Sequence, residues 1–178
     1  MNKIIFLDID GVLNDINDMK NNIGISKKLF SRFYPKLDYD KEKEYTSLNF
    51  SLEKIEILKE VIRKTSARIV LTSSWRSLIV VDALISKGLP VIDMTPYLNQ
   101  NRGKEIKEYL KYNHCFSFCI IDDEMCDYEQ EELTQYLVKT DGYNYNGLSY
   151  EHIEEITKIL SYKTPFFEEN HTKKFSLN

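Results

Sequence analysis

Two acids two residues apart, Asp8 and Asp10, stand at the end of the apolar run in "IIFLDIDGVLND", residues 4–15. A buried strand has no use for paired carboxylates, which repel one another more strongly as water is removed. In extended chain, residues i and i+2 point to the same side, so Asp8 and Asp10 are expected to face one spot with Cα atoms roughly 7 Å apart. The pattern recurs in "CFSFCIIDDE", where Asp122 and Asp123 close a second apolar run, and Thr72, Ser73 and Ser74 close another in "ARIVLTSSW". Arg102 and Lys104 open the amphipathic stretch "RGKEIKEYLKY". Converging carboxylates call for a hard cation between them, and Mg²⁺ with retained waters suits an all-oxygen site. Metal-holding carboxylates, a hydroxyl and a basic side chain make a cradle for one phosphoryl group, whose transfer needs positioning and charge stabilisation. A carboxylate in that cradle could serve as nucleophile through an aspartyl-phosphate.

The elements that must position these groups alternate along the chain. Residues 3–9 read as a strand covered on both faces. Residues 51–64 read as a helix capped by Ser51, with Leu52, Ile55, Leu58, Val61 and Ile62 on its apolar face. Strands are expected over 67–71, 90–94, 115–121 and 135–140, with helices over 76–87, 102–112 and 148–160. Gly88 and Pro90 end the second helix, and Ser149 is the expected N-cap of the last. This βα alternation predicts an α/β fold, a three-layer Rossmann-like parallel sheet with helices on both faces. In such sheets ligands bind beyond the carboxyl ends of the strands, where every polar cluster named above falls.

The chain has 178 residues, 42% of them hydrophobic and 29% charged, which suits one domain with its own core over 1–161. Residues 15–50, rich in Lys, Asp and aromatics, read as a small helical cap inserted after the first strand, and 162–178 as a tail. The cap aromatics, Phe30, Phe33, Tyr34, Tyr39, Tyr45 and Phe50, are expected to pack on one another rather than on a base or sugar. A formal net charge of −4 argues against a wholesale electrostatic grip on nucleic acid or membrane, so a polyanion would be bound locally. The first apolar stretch meets Asp8 too early for a signal peptide or membrane span, which makes the cytoplasm the expected location. Cys115, Cys119 and Cys126 lack paired spacing and read as reduced, and His114, His152 and His171 lack ligand spacing.

The motifs are those of a known family. "FLDIDGVLN" resembles the D-x-D-G-[TV]-L first motif of the haloacid dehalogenase superfamily, "IVLTSSWR" its second motif and "IIDDE" its acidic fourth, in matching order across about residues 3–160. Together with "RGKEI" and "KTD" followed by "GLS", they are most similar to the compact domain of Swiss Army knife RNA-repair proteins. The resemblance implies a Mg²⁺-dependent phosphatase in which Asp8 attacks phosphorus. Asp10 would protonate the leaving oxygen, deprotonate the hydrolytic water and offer its backbone carbonyl to the metal. Asp8 and Asp122 would be side-chain metal ligands, and Asp123 a further ligand or an orienter. Thr72 and Ser73 would bind the phosphoryl oxygens, and Arg102 or Lys104 would neutralise them, Arg102 being favoured because it opens its helix. The implied substrate is a small phosphomonoester, a nucleotide or a phosphorylated nucleic-acid end, with no obligate protein partner.

Plainer readings stand beside these. Asp-Gly is a common turn dipeptide, Thr72 to Ser74 could be a helix cap, and Trp75 and Arg76 read equally as substrate neighbours or as a core Trp and a surface Arg. Two further functions share the residue types: a receiver phosphorylated on Asp by a partner kinase, and a phosphate-binding module without turnover. In receivers the phosphorylated Asp ends a middle strand, whereas here D-x-D follows the first. The second acid also argues against mere binding.

Overall fold

A computed structural model describes residues 2–14, 50–142 and 146–164. The expected cap, apart from Phe50, and the tail from residue 165 lie outside the described residues. Five strands, β1 (Lys3–Leu7), β2 (Arg68–Leu71), β3 (Val91–Met94), β4 (Ser117–Asp122) and β5 (Leu137–Lys139), form a parallel sheet in the order β3-β2-β1-β4-β5. Among the described residues, four helices connect or follow them: α1 (Leu52–Thr65), α2 (Leu78–Ser86), α3 (Arg102–Tyr112) and α4 (His152–Ser161).

The apolar runs are continuous because both faces of the sheet are covered. Ile5 and Leu7 pack with Ile69, Leu71, Cys119 and Ile121 against Ile55 and Leu58 of α1, Leu84 of α2 and Ile156 of α4. Their neighbours Ile4 and Phe6 point the other way, with Val70, Phe118 and Ile120, against Ile106 and Leu110 of α3 and the buried Tyr128. The period of two along each strand thus feeds two cores, each fully buried aliphatic side chain contributing on the order of 2 kcal/mol.

The register decides what happens at the sheet's carboxyl edge. Leu7 pairs with Leu71 on one side and Ile121 on the other, and Ile121 pairs with Val138. The next residue along each of three adjacent strands is therefore Thr72, Asp8 or Asp122, side by side. The ladder runs one step further, since the Asp8 N–H donates to the Ile121 carbonyl and the Thr72 N–H to the Leu7 carbonyl.

Several boundaries differ from expectation for local reasons. The first strand ends at Leu7 instead of residue 9, because the N–H groups of Val12, Leu13 and Asn14 all turn back onto the Ile9 carbonyl. Leu52, expected on the buried face of α1, is exposed in the first turn, while Lys54 and Ile57 are buried. Ser51 does cap α1, accepting from the Lys54 N–H, but α2 starts at Leu78 with Ser77 as its cap. Ser149 does not cap α4: its N–H donates to Nδ1 of His152, whose ring also lies 3.0 Å from the Ser149 hydroxyl, and the helix begins after Glu151. Residues 134–136 form a 3₁₀ turn that shortens the last strand.

The turn after β1 needs Gly11, which has φ +68°, and a Cβ there would sit 2.1 Å from Asp123 Oδ2. Gly11→Ala is expected to cost about 2 kcal/mol of stability from the left-handed backbone and the displaced Asp123. Urea unfolding measures it, and an unchanged midpoint would show that the turn accommodates a side chain.

Candidate functional site

The carboxyl edge gathers most of the chemistry expected there. One oxygen each from Asp8, Asp122 and Asp123 lies within 4.8 Å of the others, and Asp8 and Asp122 are only 2% and 1% exposed. Arg102, the first residue of α3, reaches into this cluster. Its Nη1 donates to Asp8 Oδ1 at 2.6 Å and to the Thr72 carbonyl at 2.5 Å, and lies 3.4 Å from Asp122 Oδ2. Arg102 is thereby the basic side chain that contacts the acidic cluster among the described residues. Lys104, expected as its alternative, is exposed and contributes its backbone N–H to Asp127.

Asp10 stands apart from the three clustered acids. Asp10 lies beyond the strand, in an isolated bridge with Asn14 at the start of the turn, so strand alternation does not set its direction. Its carboxylate is held by the side chains of Asn14 and Trp75, while its Oδ1 is buried with no partner among the described residues. Thr72 Oγ1 is in the same condition, and so is Asn14 Oδ1. A buried hydroxyl or carboxylate oxygen without a hydrogen bond is costly, so these atoms are open to hydrogen bonds from water or a ligand. Ser73 turns its hydroxyl to Asp8 and also accepts from the Trp75 N–H.

Electrostatics follow from this crowding. Burial raises the Asp8 pKa, outweighing the Arg102 guanidinium and the Ser73 hydroxyl that oppose it. Asp10 is pushed up to about 7 by burial and then by the charge of Asp8, with Asn14 and Trp75 pulling the other way. Asp122 also rises to about 7, from burial and the Asp8 charge, against Arg102. Half-buried Asp123 rises to about 6 for the same two reasons. Burial works to lower Arg102, but Asp8 and Asp122 overcome it and hold the guanidinium firmly charged.

The donor set fits a hard divalent cation: three carboxylates converge with too little counter-charge, and Arg102 supplies only one positive charge. The acids are themselves oriented. Tyr128 donates its phenol O–H to Asp122 Oδ2 at 2.7 Å, and the Glu124 N–H donates to the other oxygen at 2.9 Å. Beside Asp123 a cleft of about 510 Å³ opens between residues 123–125 and 139–142.

Some of these residues were not singled out from the sequence. Tyr128 and Asp127 lie in "EMCDYEQEEL", which has no periodic signal, and Asp127 anchors the start of α3 by accepting the Gly103 N–H at 2.7 Å. Arg76 and Glu105 form a buried ion pair at 2.6 Å, so Arg76 is no surface arginine. A signal for Glu105 existed, since positions 102, 105, 106 and 109 share one helical face. Among the expected bystanders, Cys115 and Cys119 are buried unpaired thiols, and burial pushes Cys115 up to about 12. No described helix is long and apolar enough to cross a membrane.

A comparison with protein families agrees with the motif reading. Residues 4–153 match the family described as the HAD domain in Swiss Army Knife RNA repair proteins. No match was found among curated proteins. Among solved structures, a haloacid dehalogenase-like family hydrolase from Streptococcus pneumoniae is similar at 14% identity, covering 97% of this chain and 99% of that one, with a TM-score of 0.46.

The raised acids make a prediction about metal-free stability. Asp10, Asp122 and Asp123 bind protons in the folded state at pH values where the unfolded chain, with the ordinary aspartate value of 3.8, has released them. Their stabilising contribution is full below that value and disappears as pH rises through about 6 to 7. The melting temperature of the chelator-treated protein should therefore fall between about pH 5 and about pH 8, and added Mg²⁺ should raise it more at the higher pH. Equal Mg²⁺ effects at both ends would contradict the clustering of ionisable acids.

Proposed function

The chain belongs to the family of HAD domains in Swiss Army Knife RNA repair proteins, and on that footing we propose that it is a Mg²⁺-dependent phosphatase that hydrolyses a phosphomonoester through an aspartyl-phosphate. The observation that carries the reading is the pairing of a buried carboxylate cluster with two unpartnered buried atoms, Asp10 Oδ1 and Thr72 Oγ1, at one sheet edge. Binding of a phosphoryl group alone would not need a second acid with a free oxygen.

In this proposal an Asp8 oxygen attacks phosphorus, forming the new P–O bond as the bond to the leaving oxygen breaks. Asp10, raised to about 7 and so able to hold a proton near neutrality, gives that proton to the leaving oxygen. It then takes one from water, whose oxygen attacks the phosphoryl group, releases phosphate and restores Asp8. The Thr72 hydroxyl donates to a phosphoryl oxygen, with Ser73 close by, and Arg102 neutralises the negative charge that the phosphoryl oxygens carry. Mg²⁺, held by Asp8, Asp122 and Asp123 with the Asp10 backbone carbonyl, supplies further charge neutralisation when bound.

The family's association with RNA repair supports a nucleotide or phosphorylated nucleic-acid end as the substrate class. The receiver alternative shares the central position of β1, so place in the sheet does not separate the two readings. Asp10 does, because a receiver that only stores a phosphoryl group has no use for an acid poised to move protons.

A screen over nucleotides, 5′- and 3′-phosphorylated oligonucleotides and sugar phosphates should find Mg²⁺-dependent release of phosphate, lost in excess EDTA. Absence of turnover on every substrate would favour the receiver or the binding module. Asp8→Asn should abolish hydrolysis of a generic aryl phosphate with the fold intact, and full activity there refutes the nucleophile. Asp10→Asn should keep metal binding and lose turnover by about 10³-fold, as removal of a general acid–base does. An unaltered rate in that variant would remove Asp10 from the mechanism.

A further inference from the structure

Arg76 and Glu105 make a buried clamp that no step above uses. Arg76 Nη1 donates to Glu105 Oε2 at 2.6 Å and to Thr95 Oγ1 at 2.6 Å, and its Nη2 donates to Glu105 Oε1 at 3.0 Å. Glu105 is fully buried and also accepts the Leu98 N–H at 2.8 Å, while the Tyr97 ring lies 5.4 Å from the guanidinium carbon. One two-pronged pair thus joins three segments: the loop that follows β2, the loop that follows β3, and α3.

Two of those segments carry the phosphate cradle. Arg76 closes the turn containing Thr72 and Ser73, since its N–H donates to the Ser73 carbonyl at 3.2 Å. Glu105 lies three residues after Arg102 on the same side of α3, and Arg102 itself donates to the Thr72 carbonyl. Stability alone does not explain such a pair, because replacing a buried ion pair by apolar side chains of similar volume is often neutral or stabilising. What an apolar pair cannot do is fix one loop against one helix through a planar, two-pronged contact.

We propose that Arg76 and Glu105 are positioning residues that set Arg102 and Thr72 at the spacing one phosphoryl group requires. The proposal rests on the phosphate reading of that site, and a misplacement of the order of 1 Å in such a cradle can cost up to about 10²-fold in rate.

The test uses the full chain, with Glu105→Gln and the paired replacement Arg76→Met with Glu105→Leu. Thermal unfolding checks that each is folded. The Nε–H NMR signal of Arg102, assigned by its loss in Arg102→Lys, reports whether that side chain stays held. Inhibition by inorganic phosphate and the kcat/KM for an aryl phosphate report the cradle. In the paired variant the melting temperature should stay near that of the parent while the Arg102 signal broadens or disappears and phosphate inhibition weakens about tenfold. Glu105→Gln should show the same two losses. A folded variant with the parent's Arg102 signal and phosphate affinity overturns the proposal, and failure of both variants to fold overturns it in favour of a purely structural pair. Should the parent hydrolyse nothing, the phosphatase reading fails, yet the Arg102 signal still decides the positioning role.

Discussion

The repulsion among Asp8, Asp122 and Asp123 is the constraint on which the rest of this structure depends. Parallel register forces the first two into adjacency, and no side-chain rotation takes them out of a buried strand edge. Two like charges about 4 Å apart cost on the order of 4 kcal/mol at the effective dielectric of a protein surface, and more as water is withdrawn. A fold that keeps such an arrangement has to answer it, and this one does so with Arg102 in contact, with raised acid pKa values, and with a geometry suited to a divalent cation.

Arg102 then has two demands on it. The acids hold its Nη1, and the Thr72 carbonyl holds the same nitrogen, which brings the guanidinium to the boundary between the carboxylate cluster and the segment carrying the Thr72 and Ser73 hydroxyls. A cation at that boundary serves both sides only if its helix cannot drift. Asp127 fixes the start of α3 through the Gly103 and Lys104 N–H groups, and Glu105 fixes its next turn through Arg76. Two acids outside the carboxylate cluster thus tie down the first turns of the helix that carries Arg102.

The sequence made the architecture legible because each strand is a short apolar run ended by a polar cluster, and because both faces of a parallel sheet are covered. Asp8, Thr72 and Asp122 could be placed together from strand ends alone, since parallel register aligns strand ends. Asp10 could not be placed correctly, because alternation holds only while the strand lasts, and here three N–H groups fold back onto Ile9 two residues sooner than the apolar pattern implies. Arg76 was opaque for a different reason: its partner lies 29 positions away, and local patterning carries no information about such a pair. Leu52 misled because a helix's first turn can project past the core that the rest of its face covers.

The place of Asp10 beyond the strand gives it neighbours that differ from those of Asp8. Asp10 has neutral partners, the Asn14 amide and the Trp75 indole. Burial raises both acids; at Asp8 the Arg102 guanidinium and the Ser73 hydroxyl oppose it, whereas at Asp10 the opposing groups are neutral and the Asp8 charge adds to the rise. Two identical side chains two residues apart thereby meet different counter-groups, a guanidinium at one and neutral donors at the other, and the difference begins where the strand stops.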